Sequence, residues 1–97
     1  MRDVVVVDSV RTGLAKSFRG TFNLTRPDDM VAHCIDALLE RNPTLDPVEV
    51  EDVIVGAASQ TGEQGGNIAR LAVIISQLPI TTAGSTISRA CSSGLNS

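Results

Sequence analysis

Ninety-seven residues with 42% hydrophobic content suffice for one small domain with an almost wholly aliphatic core, since Phe18 and Phe22 are the only aromatic side chains. The formal net charge is −3 and the basic residues are scattered, which excludes a surface built for a nucleic-acid backbone. No apolar run approaches the ~20 residues of a membrane helix, and the stretch after Arg2 is too short for a secretion signal, so the chain is expected in the cytoplasm without membrane insertion.

Asp3 to Val10 carries a continuous valine run between polar residues, which predicts a strand buried on both faces of a parallel sheet. Arg11 to Thr25, with its glycines and hydroxyls, reads as a loop. At Thr25-Arg26-Pro27-Asp28 a hydroxyl, an early proline and an acidic side chain mark a helix start. Met30, Val31, Cys34, Ile35, Leu38 and Leu39 then recur at helical spacing as one apolar stripe, ended by Asn42-Pro43. Cys34, on that stripe, reads as a core residue, and His33 beside it as a helix residue without a catalytic role. With one histidine and no metal-ligand spacing between Cys34 and Cys91, no zinc site is expected and both thiols are expected to be reduced.

Asp46-Pro47-Val48-Glu49 repeats the start signal and predicts a single helical turn, and Val53-Ile54-Val55, closed by Gly56, reads as a second strand. Gly62-Glu63-Gln64-Gly65-Gly66 has neither the spacing of a dinucleotide fingerprint nor a Gly-Lys-Ser/Thr ending, so a tight turn is expected there rather than a phosphate cradle. A helix follows over Asn67 to Gln77, where Ala69, Leu71, Ala72, Val73, Ile74 and Ile75 are apolar nearly all round and predict burial on more than one side. Leu78-Pro79 breaks it, and a third strand is predicted near Gly84 to Ser88. Arg11, Arg70 and Arg89 are candidates for ion pairs, with surface pairing the default. The order βαβαβ followed by a helix start argues for a parallel α/β layer with crossover helices.

The third strand leads to Cys91, within Ser88-Arg89-Ala90-Cys91-Ser92-Ser93-Gly94-Leu95. A thiol at a strand-to-helix elbow faces the unpaired N–H groups of the coming helix, which favour a thiolate and can hold an oxyanion. Cys91 is therefore a candidate nucleophile. The competing reading is a small packed hydrophobe, because free cysteine is among the most buried residue types. The few residues after Cys91 are too short for the helix it announces, and the chain reads as an amino-terminal fragment.

Three stretches together resemble the thiolase family. Ile87 to Ser97 resembles the segment around its acyl-accepting cysteine, Asp3 to Gly13 its first strand and Arg-Thr turn, and Gly62 to Arg70 its Gly-rich loop running into a helix. Ser88 stands where many members have Asn, and Asn96 where a longer polar side chain is usual. The resemblance implies a thiolase-like α/β fold, of which residues 1–97 would form the first part of the amino-terminal βαβαβ half, truncated, with a mixed sheet packed between helices. It implies an acyltransferase that cleaves 3-ketoacyl-CoA with CoA, or runs the reverse condensation, through an acyl group on Cys91. The backbone N–H of Cys91 would serve as oxyanion donor. CoA and acyl-CoA would be substrates and no cofactor is implied. A histidine and a second cysteine of the carboxy-terminal half would act as base and acid, so residues 1–97 alone are expected to be inactive. The full-length protein is expected to be a homodimer or homotetramer, closest to the degradative members that serve fatty acid β-oxidation. A ketoacyl synthase of the same fold and a non-catalytic thiolase-like module that binds lipid or a partner protein are the alternatives.

Overall fold

A computed structural model describes all 97 residues, Met1–Ser97. Helix α1 (Pro27–Arg41) starts where a proline occupies its first turn, a position at which the missing N–H costs no hydrogen bond. Asp28 and Asp29 lie in the first turn and Arg41 in the last, so both ends carry charges that complement the helix dipole. The N-cap is Arg26, not the hydroxyl of Thr25, and it makes no side-chain cap. Instead the buried Asp28 carboxylate accepts the N–H of Asp29 at 3.0 Å and two guanidinium N–H groups of Arg26 at 3.1 and 3.0 Å. At the other end both the backbone N–H and the side-chain amide of Asn42 donate to Leu38 O. A 3-10 turn, Pro47–Glu49, follows, capped by Asp46 Oδ1 on the N–H of Val48.

Strands β1 (Asp52–Gly56) and β2 (Ala83–Ile87) pair in parallel, with Val53 opposite Gly84 and Gly56 opposite Ile87. Helix α2 (Ile68–Ile75) is the crossover between them. Because side chains alternate along a strand, Val53, Val55, Gly84 and Thr86 share one half-buried face, while Asp52, Ile54, Ala83 and Ser85 share an exposed one. Helix α2 covers the first face. A Cβ at Gly84 would lie 2.7 Å from Arg70 N and 2.8 Å from Arg70 Cα, so only glycine lets the helix backbone rest there. Asn67, in left-handed conformation at φ 61°, pins the contact. Its amide donates to Gly84 O at 2.9 Å and its Oδ1 accepts from Thr86 Oγ1 at 2.8 Å, while Thr86 Oγ1 accepts the N–H of Ala69. Ile68, Ala69, Ala72 and Val73 form most of the core.

The result is an α/β unit of two parallel strands and three helices. It departs from the sequence reading in several places. Asp3 to Val10 is not a strand: residues 1–19 make no backbone–backbone hydrogen bond, and Val4 to Val7 are 73–96% exposed. No neighbouring strand offers them a ladder and no layer covers them. Val6 and Val7 line one wall of an open groove of about 680 Å³, opposite Ile35, Leu38, Val50 and Val53. This uncovered segment helps explain a Cα radius of gyration of 14.0 Å, above the ≈ 13 Å of a compact 100-residue domain.

Helix α2 is buried on more than one side, against the sheet and against α1, and only Ile74 and Ile75 at its carboxyl end stay open, at 55% and 48% exposed. It ends before Gln77. Ser76 turns extended, its hydroxyl donating to Val73 O and accepting from Leu78 N, and the N–H of Gln77 passes to Asp36 Oδ1 on α1. The two strands pair in parallel, as the βαβ order predicts, but no antiparallel strand makes the sheet mixed, and its second face is covered only at the carboxyl end, by the turn into α3 (Ser93–Asn96). Finally, the ion pairs form at Arg26–Asp28, Arg26–Glu63 and Arg41–Asp8, where the fold brings carboxylates within reach. Arg70 instead donates to Thr82 O at 2.7 Å, and Arg11 to Thr12 O.

Replacing Gly84 by Ala should destabilise the fold by about 1–3 kcal/mol or more, since helix backbone must move; an unchanged urea midpoint would contradict the α2–β2 contact. The Arg26 guanidinium holds the Asp28 carboxyl below its ordinary range, and the Asn42 amide, the N–H of Ser9 and Arg41 do so for Asp8. Lowered folded-state values stabilise above the unfolded carboxylate value of about 3.9, and that contribution disappears as pH falls through the lower folded values. Urea titrations over an acid pH series should show Asp28→Asn with a shallower acid loss than the parent; parallel acid limbs would contradict the role of Arg26.

Candidate active site

Beyond Ile87 the chain turns through Ser88 to Ser92 into α3, and this elbow carries Cys91. The N–H of Ser92 donates to Arg89 O at 3.0 Å and that of Ser93 to Ala90 O at 3.2 Å. The Ser93 hydroxyl sits inside the turn, accepting the N–H of Arg89 at 2.8 Å and donating to Ala90 O at 2.7 Å. Ser93 is 3% exposed. Ala90 is left-handed at φ 48°, a conformation uncommon without glycine. The thiol of Cys91 is free and exposed, and its backbone N–H is not used by these bonds.

Small residues explain why the chain can turn so tightly. Ala90, Ser92, Ser93 and Gly94 flank Cys91 along the chain, and the elbow rests on the end of β1 at Gly56, where any Cβ would collide with Ser93 O and Gly94 N. The ladder runs one step past β1, through the N–H of Ala57 to Ile87 O at 2.9 Å. Cys91 therefore stands at the carboxyl end of parallel strands, the edge at which open α/β sheets place their ligands.

The other residues singled out in the sequence lie elsewhere. Cys34 is half-buried in the α1 stripe, and His33 is exposed on α1 beside Arg11, Thr12 and Phe22. The glycine loop is a tight turn, with a 3-10 segment Gly62–Gln64 that opens on left-handed Gly62 and is followed by left-handed Gly66, tied to the start of α1 by Glu63 and Arg26. No three His, Cys, Asp or Glu side chains gather where they could hold a metal ion, and no helix is long and apolar enough to cross a membrane. Pattern reading passed over Ala90, Ser93 and Gly56. The run of small residues from Ala90 to Gly94 was the available signal for a cramped turn, whereas nothing local marks Gly56 as its seat.

The family described as "Thiolase, N-terminal domain" matches residues 4–97. Among curated proteins, one named 3-ketoacyl-CoA thiolase, from Stutzerimonas stutzeri (strain A1501), is 50% identical over 95 residues, which are 98% of this chain and 24% of that protein. The chain thus spans about a quarter of the length of the curated relative it matches.

Differential exposure makes a direct prediction. Iodoacetamide should alkylate Cys91 at least about tenfold faster than Cys34, as read by peptide mass spectrometry, because the first thiol is exposed and the second half-buried. Equal rates, or faster reaction at Cys34, would place the elbow wrongly.

Proposed function

The chain belongs to the thiolase family as an amino-terminal thiolase domain, and from that premise we propose that the protein carrying it is an acyltransferase in which Cys91 takes the acyl group. The observation that carries this reading is the exposed thiol of Cys91 on a hydrogen-bonded elbow at the carboxyl end of parallel strands, within a chain 50% identical to a 3-ketoacyl-CoA thiolase. The substrate class is a 3-ketoacyl-CoA.

The Cys91 sulfur, as thiolate, attacks the 3-keto carbon and forms an S–C bond. The bond between C2 and C3 breaks, its electron pair stays on C2 as the enolate of acetyl-CoA, and that carbon takes a proton. The acyl group remains on sulfur as a thioester until the thiolate of free CoA attacks its carbonyl and Cys91 leaves. One difficult carbon–carbon cleavage is thereby divided into two acyl transfers with ping-pong character. The N–H of Cys91 stabilises the charge that develops on the carbonyl oxygen. Two further groups are needed, a base that ionises Cys91 and an acid that protonates the enolate. His33, the only histidine in residues 1–97, is exposed on α1, and the resemblance to thiolases assigns the two roles to a histidine and a second cysteine of the carboxy-terminal half. The protein works on CoA esters without a cofactor, as a homodimer or homotetramer in the cytoplasm, in the degradative direction of fatty acid β-oxidation.

Steady-state thiolysis of acetoacetyl-CoA by the full-length protein tests the proposal. Cys91→Ala should lower kcat by more than about a thousandfold, and residues 1–97 alone should show no turnover. Retention of activity by Cys91→Ala would remove the nucleophile from the account.

A further inference from the structure

Resting on the acyl-transfer reading above, we propose that Ser93 and Gly56 are positioning residues for the Cys91 thiol: the buried Ser93 hydroxyl locks the turn before the thiol, and the bare backbone of Gly56 sets how deeply that turn seats on the sheet.

Ala90 directly precedes Cys91, and its left-handed backbone sets the direction in which the chain enters that residue. An L-residue pays a conformational penalty there, which corresponds to roughly a tenfold loss in population. Packing of the Ala90 side chain does not offset it, because Ala90 is exposed. What spans the residue is Ser93. Its hydroxyl accepts from Arg89 N on one side of Ala90 and donates to Ala90 O on the other, and its own N–H donates to the same carbonyl. Without the hydroxyl, the N–H of Arg89 loses its acceptor and Ala90 O keeps only the longer of its two bonds from Ser93, at 3.2 Å.

Gly56 acts from the opposite side. Where its Cβ would stand, the chain has Ser93 O and Gly94 N, so a side chain at 56 would push the Ser93–Gly94 peptide outward and carry the preceding turn with it. Register places Gly56 and Gly84 on opposite faces of the sheet, one under the elbow and the other under α2. The thiol is therefore located by backbone contact to β1 and by one buried hydroxyl, rather than by packing of the cysteine itself. Covalent attack is sensitive to displacements of this size, since reacting atoms must be held within about half an ångström of productive geometry.

The test uses the full-length protein and acetoacetyl-CoA thiolysis. Ser93→Ala should lower kcat about tenfold with KM for both substrates within about twofold, because the thiol is misplaced while substrate contacts remain. Adding Ala90→Gly should restore at least a third of the lost kcat, since glycine adopts the left-handed conformation freely, a rescue that a general loss of stability would not give. Gly56→Ala should lower kcat in the same manner, without that rescue. If Ser93→Ala does not accumulate as folded protein, the exposed position 90 carries the measurement: Ala90→Asn, which tolerates the left-handed region, should retain at least about fivefold more kcat than β-branched Ala90→Val. An unchanged kcat in Ser93→Ala, a loss confined to KM, or equal kcat for the two Ala90 variants would overturn the proposal while leaving Cys91 as nucleophile. Activity that survives Cys91→Ala would overturn the acyl-transfer reading, and the positioning role with it.

Discussion

The first turn of α2 rests on β2 backbone to backbone at Gly84, and the rest of the fold follows from that contact. Gly84 opens the space, and Asn67 closes it by donating to the Gly84 carbonyl and accepting from the Thr86 hydroxyl. With α2 seated, Ile68, Ala69, Ala72 and Val73 are buried over the half-covered face of the sheet. The parallel register of β1 and β2 then brings their carboxyl ends level, so that Gly56 lies opposite Ile87 just where the chain leaves for Cys91. Two glycines on opposite faces of one small sheet thus admit a helix on one side and an elbow on the other, each at backbone distance.

The elements flanking this contact were legible because their signals are local. Proline in the first turn of α1, the Asp46-Pro47 start of the 3-10 turn and the Val53-Ile54-Val55 strand closed by Gly56 all formed where they were read. The valine run of residues 4–7 shows the limit of such signals. A continuous apolar stretch reports that a segment would suit burial on both faces, but pairing depends on a neighbouring strand that the run itself cannot specify. Helix α2 shows the other outcome, as its nearly all-round apolar composition is met by the sheet on one side and α1 on another, with Ile74 and Ile75 alone left open. The left-handed Asn67 and Ala90 were invisible for a different reason. Each is held by hydrogen bonds to residues that only the fold or the turn brings into place, Thr86 and Gly84 for the first and Ser93 for the second. The Arg26–Glu63 pair, which spans from α1 to the glycine loop, belongs to the same class.

The candidate site divides along the same line. The corner that carries Cys91 was readable from its neighbours, because a β-type run followed by small residues predicts a sharp turn there. Its support was not readable, since Ser93 resembles any small polar residue until its hydroxyl is found bracketing Ala90. The charged cluster at the start of α1 and the glycine loop have a structural part instead. They tie the start of α1 to the segment that feeds α2. In this thiolase-family domain a small α/β layer leaves the Cys91 sulfur exposed at the edge of its sheet, where the proposed acyl transfer requires it.

Mapping the acyl group itself reaches the centre of this account most directly. Full-length protein mixed with a 3-ketoacyl-CoA in the absence of free CoA, quenched in acid and digested, should yield the peptide containing Cys91 with an acyl thioester that hydroxylamine removes. An acyl group recovered on another residue, or none on any peptide while acetyl-CoA accumulates, would contradict it.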